Sequence, residues 1–429
     1  MNGPFWKRFS RGAVLIIASL GLGCGGAGEP EAVGSVDQAL SSLALPNNLP
    51  VPNSSGFAAS FSTQGSLHLD DEFFQPQGTN GRTCATCHLL QDGWSIRPSS
   101  VRRFFEETGG LHPIFANNLD ANFPSAPSGT LEERRSSFSM LLQGKFIRRV
   151  NVAASAEYSM IESADPFGES NLVLMQFFRR PLPTANFKSH VVMWDGANTV
   201  GTDLQAGLDK QAKGNVTGAQ QGSPAPQEVI DQIVLFEKQL SVAQLFVPGA
   251  WFLNAGGAKG GPAHHAEQPL VAGRFSLYDA WRSSTNPYRA QIARGQEIFN
   301  GTNAANGRSC NGCHSAANDG QNVAGVLFNI GTSKPEHARS DMAIFTLQHK
   351  ITGEILRTTD GGQGIRTGKW ADLNRFKAPS LRGAAARAPY FHNGIATSLR
   401  EVVRFYEANL GFQFSNRERD DLVAFLSAL

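Results

Sequence analysis

The chain has 429 residues, with 38 basic and 36 acidic side chains and a formal net charge of +2 at pH 7. This length is sufficient for two or three domains with substantial hydrophobic cores. The balanced charge includes no long run of one sign, so we expect no nucleic-acid partner and no membrane surface held by charge alone.

The first 24 residues are typical of an export signal. Basic residues precede an apolar run at residues 13–20, which is too short for a permanent membrane-spanning helix. Cys24 follows in the place of the lipidated cysteine of bacterial lipoproteins, although Gly21 stands where such signals usually carry leucine. We therefore expect a periplasmic protein or an outer-membrane lipoprotein tethered through Cys24. The alternative is ordinary cleavage at the nearby small residues.

Residues 25–60 predict a flexible tether, because they are rich in Gly, Pro, Ser and Ala and poor in large apolar side chains. Folded structure is expected from Phe61. We predict two domains, at residues 61–285 and 286–429.

The stretch Cys84-Ala85-Thr86-Cys87-His88 contains Cys-x-x-Cys-His, the attachment sequence for a c-type haem. In this motif two thiols one helical turn apart add across the haem vinyl groups, and the histidine binds the iron. Cys84 and Cys87 are therefore predicted to hold a haem covalently, with His88 as the proximal ligand. A redox-active Cys-x-x-Cys and a zinc site shared with a second cysteine pair are the alternatives.

Apolar residues at helical spacing predict two helices in the first domain, at residues 131–150 and 227–242. The Gly-rich piece from Gly249 to Gly273 is predicted to be an extended surface loop. It contains His264 and His265, which are expected to be solvated.

The second domain repeats the attachment sequence in Cys310-Asn311-Gly312-Cys313-His314. Cys310 and Cys313 are therefore predicted to hold a second covalent haem, and His314 to bind its iron. Both motifs follow Asn-Gly-Arg and a small hydroxyl residue, which indicates two related domains.

Three further helices are predicted in the second domain. One has Pro287 in its first turn, one runs from Ser398 to Leu410 with Gly411 as its stop, and the last covers residues 415–426. Strand signals are sparse. The sequence therefore predicts a mostly α fold of two cytochrome c-like haem domains, the first enlarged by long loops and insertions.

A second pair of similar segments follows the two motifs, one segment after each motif. A Pro-led segment that ends at Trp194-Asp195-Gly196 corresponds loosely to one that ends at His392-Asn393-Gly394. We expect each iron to receive its distal surroundings from the later segment of its own half.

Three segments of the second domain resemble the C-terminal domain of the bacterial dihaem cytochrome c peroxidase and MauG superfamily. They are Lys377–Gly383, Ala388–Gly394 and Leu399–Val403. With the tetrapeptide Met193–Gly196 and both haem motifs, the resemblance covers roughly residue 61 to the C-terminus. It implies that peroxide meets the N-terminal haem and that the C-terminal haem passes electrons. Trp194 matches the tryptophan that lies between the two haems in this family.

The resemblance also bears on the distal ligand of the C-terminal haem. The peroxidases use a methionine twelve residues after the glycine that matches Gly394, and Tyr406 stands there, as a tyrosine does in MauG. A tyrosinate ligand favours ferric and higher states of iron and lowers the potential. Tyr406 is therefore the predicted metal ligand, with Met342 and His392 as alternatives.

At the N-terminal haem the resemblance points to two glutamines. The run Leu208–Gly214 matches one that contains Gln211, and Gln221 stands ten residues later, where the peroxidases carry a catalytic glutamate. An amide can hydrogen-bond peroxide but cannot take its proton. Gln211, Gln221 and Trp194 are the predicted catalytic residues, with Glu228 as a carboxylate that could supply the missing base.

Calcium, which the peroxidases hold between their haems, is not expected. Arg179 replaces an asparagine and Arg387 a threonine at the positions whose oxygens help to bind that ion in the family. Guanidinium groups repel a cation, so these arginines are expected to take its place or to pair with haem propionates. His112 and His190 are expected to be packing or surface residues.

Together these observations predict an exported dihaem oxidoreductase that activates hydrogen peroxide or oxygen at the N-terminal haem, using electrons relayed from the C-terminal one. A small periplasmic protein, such as a monohaem cytochrome or a cupredoxin, is the expected electron donor. The alternatives are MauG-like or rubber-oxygenase-like oxidation of an organic or protein substrate, and a non-enzymatic dihaem electron carrier. An open coordination site on the first iron would separate an enzyme from a carrier.

Overall fold

A computed structural model describes residues 44–116, 120–302, 304 and 307–429, which belong to one compact unit. The predicted export signal, Cys24 and the first part of the predicted tether lie outside the described residues. Among those that are described, no helix is both long and apolar enough to cross a bilayer.

Ten α-helices and thirteen strands position the functional residues. The helices are α1 (Pro98–Thr108), α2 (Leu131–Ser137), α3 (Leu204–Gly214), α4 (Gln227–Gln239), α5 (Pro262–Glu267), α6 (Pro287–Asn300), α7 (Cys310–Cys313), α8 (Gln363–Thr367), α9 (Leu399–Leu410) and α10 (Asn416–Ser427), all within the described residues. The described strands are β1 (Ala44–Pro46), β2 (Val51–Asn53), β3 (Gly56–Ser62), β4 (Ser66–His68), β5 (Phe146–Asn151), β6 (Tyr158–Ala164), β7 (Leu174–Arg179), β8 (Leu240–Val247), β9 (Trp251–Phe252), β10 (Leu327–Phe328), β11 (Ile344–His349), β12 (Ile355–Thr358) and β13 (Phe376–Lys377).

The prediction of a mostly α fold is confirmed only in part, because 34% of the residues are helical and the strands form substantial sheet. A four-stranded sheet has the order β2-β3-β8-β9, and a three-stranded sheet has the order β12-β11-β6. The second of these joins β6 from the predicted first domain to two strands from the predicted second domain. Sheet pairing therefore links the two halves of the chain.

The last part of the predicted tether is folded, so the predicted boundary at Phe61 is too late. Strand β3 begins at Gly56 and pairs antiparallel with β8, with Ala59 opposite Ala243. Ala58 and Ala59 are buried. Small residues are typical of a flexible tether, but here they allow the strand to pack closely against its neighbours.

The prediction of a helix at residues 131–150 is wrong beyond Ser137, where the observed helix ends. Gly144 adopts a left-handed conformation with φ 67°, and the chain then enters β5, which pairs with β7. The helix predicted at residues 227–242 ends at Gln239, where the chain continues into β8. In both places β-branched residues that fit a helical period are used in a strand, because a partner strand distant in sequence is available.

The Gly-rich piece from Gly249 to Gly273 is not an extended surface loop. It contains β9 and the short helix α5, and Leu253 and His265 are fully buried. The prediction that His265 is solvated is wrong.

The C-terminal helices are confirmed together with their caps. Ser398 and Ser415 accept hydrogen bonds from the amides of Glu401 and Glu418, and Gly411 ends α9 in a left-handed conformation. Helix α6 crosses α10 at Gly295, where an added Cβ would lie 1.9 Å from the carbonyl oxygen of Asp421. Phe299 of α6 and Leu422 and Leu426 of α10 line the same cavity as His314.

Candidate functional site: two haem-binding segments

Both Cys-x-x-Cys-His motifs fold into a single helical turn. Thr83 caps the first, its hydroxyl accepting from the amide of Thr86 at 3.1 Å, and Ser309 caps the second by accepting from the amide of Gly312 at 3.1 Å. The amide of each histidine then donates to the carbonyl of the first cysteine, at 3.1 Å in the first motif and 3.0 Å in the second. Thiols and imidazole are thereby placed one turn apart, as attachment of a c-type haem requires.

The side chains of the two motif histidines make the same kind of hydrogen bond. Nδ1 of His88 lies 2.9 Å from the carbonyl oxygen of Trp94, and Nδ1 of His314 lies 2.5 Å from that of Gly320, in each case six residues further along the chain. A carbonyl can only accept, so Nδ1 carries the proton and Nε2 keeps its lone pair. This is the tautomer that an axial ligand needs. Burial lowers the pKa of both histidines, which also favours the neutral ring.

The four motif cysteines are not joined in disulfides. Burial raises the pKa of Cys87 and of Cys310 to about 12, and raises that of Cys84 and Cys313 as well. Buried thiols that stay protonated do not favour redox exchange, which requires the thiolate. Over the described ranges, no three His, Cys, Asp or Glu side chains converge as a metal site would require. The geometry therefore favours haem attachment over both alternatives.

A cavity of about 450 Å³ opens beside the second motif, within the size range of cofactor sites. Its apolar wall is formed by Phe299, Phe328, Phe376, Phe391, Leu399, Val402, Val403, Leu410, Phe412 and Leu426. Cys310, Cys313 and His314 line it, and so do Trp194, His392 and Tyr406. An apolar slot with two thiols and an imidazole at one side fits a covalently attached haem.

Cations at the edge of this cavity fit the remaining part of a haem, its two propionates. Arg180, Lys377 and Arg387 line the cavity. Burial lowers the pKa of Lys377 to about 8 and that of the two arginines to about 10. Nε of Arg180 is buried and has no hydrogen-bond partner in the part of the chain that is described. A buried donor without an acceptor is costly, and a carboxylate ligand would satisfy it.

The first motif lies between two hydrophobic clusters. Cys84 packs against the cluster that contains Phe73 and Trp94, and Cys87 packs against the cluster that contains Phe105 and Phe138. The same chemistry therefore surrounds both motifs: apolar walls, two thiols and an imidazole with Nε2 available.

Trp194 lies on the wall of the second cavity. Its Nε1 donates to the carbonyl oxygen of Arg180 at 2.7 Å, and its ring centroid lies 6.3 Å from that of His392. Ser95, which follows the first motif and whose carbonyl accepts from the amide of Leu89, lines the same cavity. The structure thus brings Trp194 together with His314 and with the segment that follows His88.

Tyr406 is the candidate distal ligand that the cavity favours. Burial raises the pKa of its hydroxyl, and the thiols of Cys310 and Cys313 lie close enough to add to the effect. Met342 does not line this cavity but belongs to a separate surface hollow. His392 does line the cavity. However, its ring stacks on that of Phe376, with the two ring centroids 3.8 Å apart, and its Nε2 lies 3.6 Å from the Asp360 carboxylate.

The two predicted glutamines of the N-terminal site have different surroundings. Gln211 is half-buried on α3, whereas Gln221 is exposed. The backbone carbonyl of Gln221 accepts a hydrogen bond from the Thr79 hydroxyl at 3.1 Å. The buried amide belongs to the preceding residue, Gln220, whose Nε2 lies 3.9 Å from Sγ of Cys84. Glu228, the alternative base, is exposed. Gln220 directly follows a short π-helical turn at residues 215–219, which the sequence analysis does not predict.

Arg179 bridges two buried carboxylates. It makes a bidentate pair with Asp360, at 2.6 and 2.8 Å, and donates to Asp195 at 2.7 Å. Burial alone would lower the pKa of this guanidinium, but the two carboxylates outweigh burial and raise it. Arg387, in contrast, donates to the carbonyl oxygens of Arg382 and Ser380.

His112 and His190, the two histidines predicted to be packing or surface residues, both make local packing contacts. The ring of His112 stacks on that of Phe104, with the two ring centroids 4.1 Å apart. Its Nδ1 accepts a hydrogen bond from the backbone amide of Ile114 at 3.3 Å. His190 packs on the backbone of Gly325, where an added Cβ would approach its ring to 2.6 Å.

Comparisons with known proteins identify related sequences. The chain is 34% identical over 155 residues to the cytochrome-c peroxidase IdrP2 of Denitromonas iodatirespirans, a match that spans 33% of this chain and 40% of that protein. It is 30% identical over 156 residues to the cytochrome c551 peroxidase of Nitrosomonas europaea, over 36% of this chain and 39% of the relative. It is 25% identical over 176 residues to the methylamine utilization protein MauG of Methylophilus methylotrophus, over 38% of this chain and 44% of the relative.

These matches confirm the predicted relationship to the dihaem peroxidase and MauG superfamily, although the chain spans less than half the length of each of these three relatives. No protein-family model matches. The solved structure of a MauG-like protein associated with microbial copper homeostasis overlaps with a TM-score of 0.40 at 14% identity, covering 84% of each chain. That likeness is too distant to support the assignment.

Proposed function

We propose that this chain, a relative of the dihaem cytochrome c peroxidases and MauG, is an exported c-type dihaem oxidoreductase that reduces hydrogen peroxide. Bound haem would supply the redox chemistry. Cys84, Cys87 and His88 would hold the N-terminal haem, where peroxide binds, and Cys310, Cys313 and His314 the C-terminal one, which receives electrons. The observation that carries this proposal is the matched geometry of His88 and His314, each with Nδ1 bonded to a carbonyl six residues later.

The protein's own groups have four tasks in this proposal. The proximal histidines set the electron donation to each iron, and the buried cations Arg180, Lys377 and Arg387 balance the propionates. Trp194 lies on the wall of the second cavity and would pass electrons between the two sites. At the first site Gln211 and Gln221 would orient peroxide by hydrogen bonds without removing its proton.

We place the protein in the periplasm or on the outer membrane, with Cys24 as the lipidated residue. A small periplasmic cytochrome or cupredoxin is the proposed electron donor. The proposal includes no calcium, because Arg179 already forms ion pairs with both of the buried carboxylates that it bridges.

A second candidate function is MauG-like oxidation of an organic or protein substrate. Tyr406 favours it, because this tyrosine lines the cavity beside Cys310 and Cys313 where the peroxidases have methionine. An anionic oxygen ligand would lower the potential of that haem and favour its oxidised states.

Intact mass and single-turnover kinetics test the proposal. Protein made with haem-maturation machinery should exceed its apo mass by two haems, and the reduced protein should consume peroxide with oxidation of both haems. One haem, or zinc in place of haem, would contradict the architecture. Two six-coordinate haems without peroxide consumption would leave the electron carrier as the better description.

A further inference from the structure

A histidine and a carboxylate that are both fully buried form a pair beside the second motif. Nε2 of His265 and Oδ2 of Asp319 are 2.6 Å apart. The hydroxyl of Ser241 lies 3.2 Å from Nδ1 of His265 and can donate to it. Burial lowers the pKa of His265 to about 4 against the opposing effect of Asp319. The ring is therefore neutral, with Nε2 as the donor to an ionised Asp319.

Asp319 is fixed by more than this one bond. Its Oδ2 also accepts from the Ser380 hydroxyl at 3.0 Å, and its Oδ1 accepts from the amide of Gln321 at 3.2 Å. Its own carbonyl accepts from the amide of Leu381 at 2.9 Å. Asp319 is thus held through both its side chain and its backbone.

The residue after Asp319 supplies the hydrogen-bond partner of the proximal histidine. The carbonyl of Gly320 lies 2.5 Å from Nδ1 of His314. Gly320 has φ 78°, and an added Cβ would lie 2.8 Å from the Leu381 side chain, so the backbone approaches its neighbours closely here. Any movement of Asp319 would therefore move the carbonyl that His314 needs.

We infer that the His265–Asp319 pair is a positioning device for His314. It fixes the peptide that carries the Gly320 carbonyl, and so maintains the hydrogen bond that makes His314 a stronger electron donor to the C-terminal iron. A stronger donor favours ferric iron and lowers the reduction potential. The inference rests on the proposed function only in taking His314 as an iron ligand.

The first half contains a parallel arrangement. The carbonyl of Trp94, which pairs with His88, also accepts from the amide of Thr184 at 2.9 Å, and the Thr184 hydroxyl donates to the buried Glu237 at 2.6 Å. In both halves a carbonyl partner of a proximal histidine is thus linked to a buried acid. The acids come from unrelated parts of the sequence, so the parallel is not a consequence of the motif itself.

Substitutions at His265 test the inference without changing the charge of the site. His265→Leu removes the donor to Asp319, whereas His265→Gln keeps an N–H near the position of Nε2. We expect His265→Leu to raise the midpoint potential of the C-terminal haem and to change its ferric electron paramagnetic resonance g-values. His265→Gln should keep the midpoint potential and the g-values close to those of the native protein. His264→Leu, at the adjacent histidine outside the network, is the matched control and should leave both haems unchanged.

An unchanged potential and spectrum in a folded His265→Leu protein with two haems would overturn the inference. If that variant fails to fold or to retain haem, Ser380→Ala provides the second measurement, since it removes one donor to Asp319 and should shift the potential less, in the same direction. No shift in Ser380→Ala would then overturn it. A native protein that carries both haems but does not consume peroxide would contradict the proposed function and not the role of His265.

Discussion

The indole Nε1 of Trp194 donates a 2.7 Å hydrogen bond to the carbonyl oxygen of Arg180, and the amide of Arg180 donates to the carbonyl of His392 at 2.6 Å. The indole is therefore held in one orientation on the wall of the cavity that His314 lines. A fixed aromatic ring would suit the electron relay that we propose for Trp194, because its position would not need to be reorganised at each turnover.

Trp194→Phe should slow electron delivery to the first haem without blocking peroxide binding. Phenylalanine keeps an aromatic ring but loses the bond to Arg180, and it is harder to oxidise than an indole. We expect a decrease on the order of tenfold, equivalent to about 1.4 kcal/mol of barrier. Stopped-flow mixing of reduced protein with peroxide measures this rate, since the two haems have separate spectra. Trp251→Phe, on the exposed strand β9, is the control. Equal rates in the native protein and Trp194→Phe would exclude a relay through Trp194.

Tyr406→Phe should change the spectrum of the C-terminal haem and raise its potential. The substitution removes only the hydroxyl, which is the group that would bind iron, and a lost anionic ligand makes ferric iron less stable. Redox titration with absorbance detection measures the change. Tyr288→Phe, at an exposed tyrosine on α6, should have no effect.

The alternative ligand is tested in parallel. His392→Ala should leave the ligation unchanged if Tyr406 is the ligand, although it removes a ring that stacks on Phe376 at 3.8 Å. If His392→Ala alters the low-spin spectrum while Tyr406→Phe does not, His392 is the ligand.

Gln221→Glu should increase the rate of peroxide cleavage, because a carboxylate can take the proton that an amide cannot. General-base help typically contributes about 10²- to 10⁴-fold, so even a partly aligned base should be measurable. Gln220→Glu is the informative comparison, since Gln220 is the buried amide beside Cys84. If only Gln220→Glu accelerates cleavage, the catalytic position lies one residue before Gln221. If neither does, the base comes from another part of the chain.

Local signals were enough to predict the last two helices of the chain. Ser398 and Ser415 act as caps and Gly411 as a stop because these residues satisfy the free backbone groups of their own helix ends. The motif cysteines and histidines were likewise found from spacing within one turn. Each of these features is decided by residues that are neighbours in sequence.

Features that depend on distant residues were missed. His265 lies in a Gly-rich segment, which is typical of a solvated loop. Its hydrogen-bond partner Asp319 is 54 residues away, so no local sequence pattern predicts the pair. Strand β3 was assigned to the tether because its burial depends on β8, almost two hundred residues later. The partner of Arg179, Asp360, is 181 residues away. The sequence predicts that Arg179 does not bind calcium, but it does not identify the carboxylates with which Arg179 pairs.

Arg179→Asn should destabilise the protein and create a response to calcium that the native protein lacks. Without the guanidinium, Asp195 and Asp360 are left buried and uncompensated, and breaking a buried pair in this way costs about 3–5 kcal/mol. Two carboxylates and an amide oxygen are ligands that calcium prefers, so the ion should restore part of the lost stability. Thermal unfolding with calcium or with chelator measures both effects.

Arg282→Asn is the matched control, because it breaks a half-exposed pair with Asp279 and Glu297 that should contribute at most about 1 kcal/mol. The control should be only slightly less stable and should not respond to calcium. In the native protein the guanidinium of Arg179 already satisfies both carboxylates, so its melting temperature should be the same with calcium and with chelator. If calcium raised the native melting temperature as much as that of Arg179→Asn, the ion would have to bind elsewhere, and the guanidinium would not be its replacement.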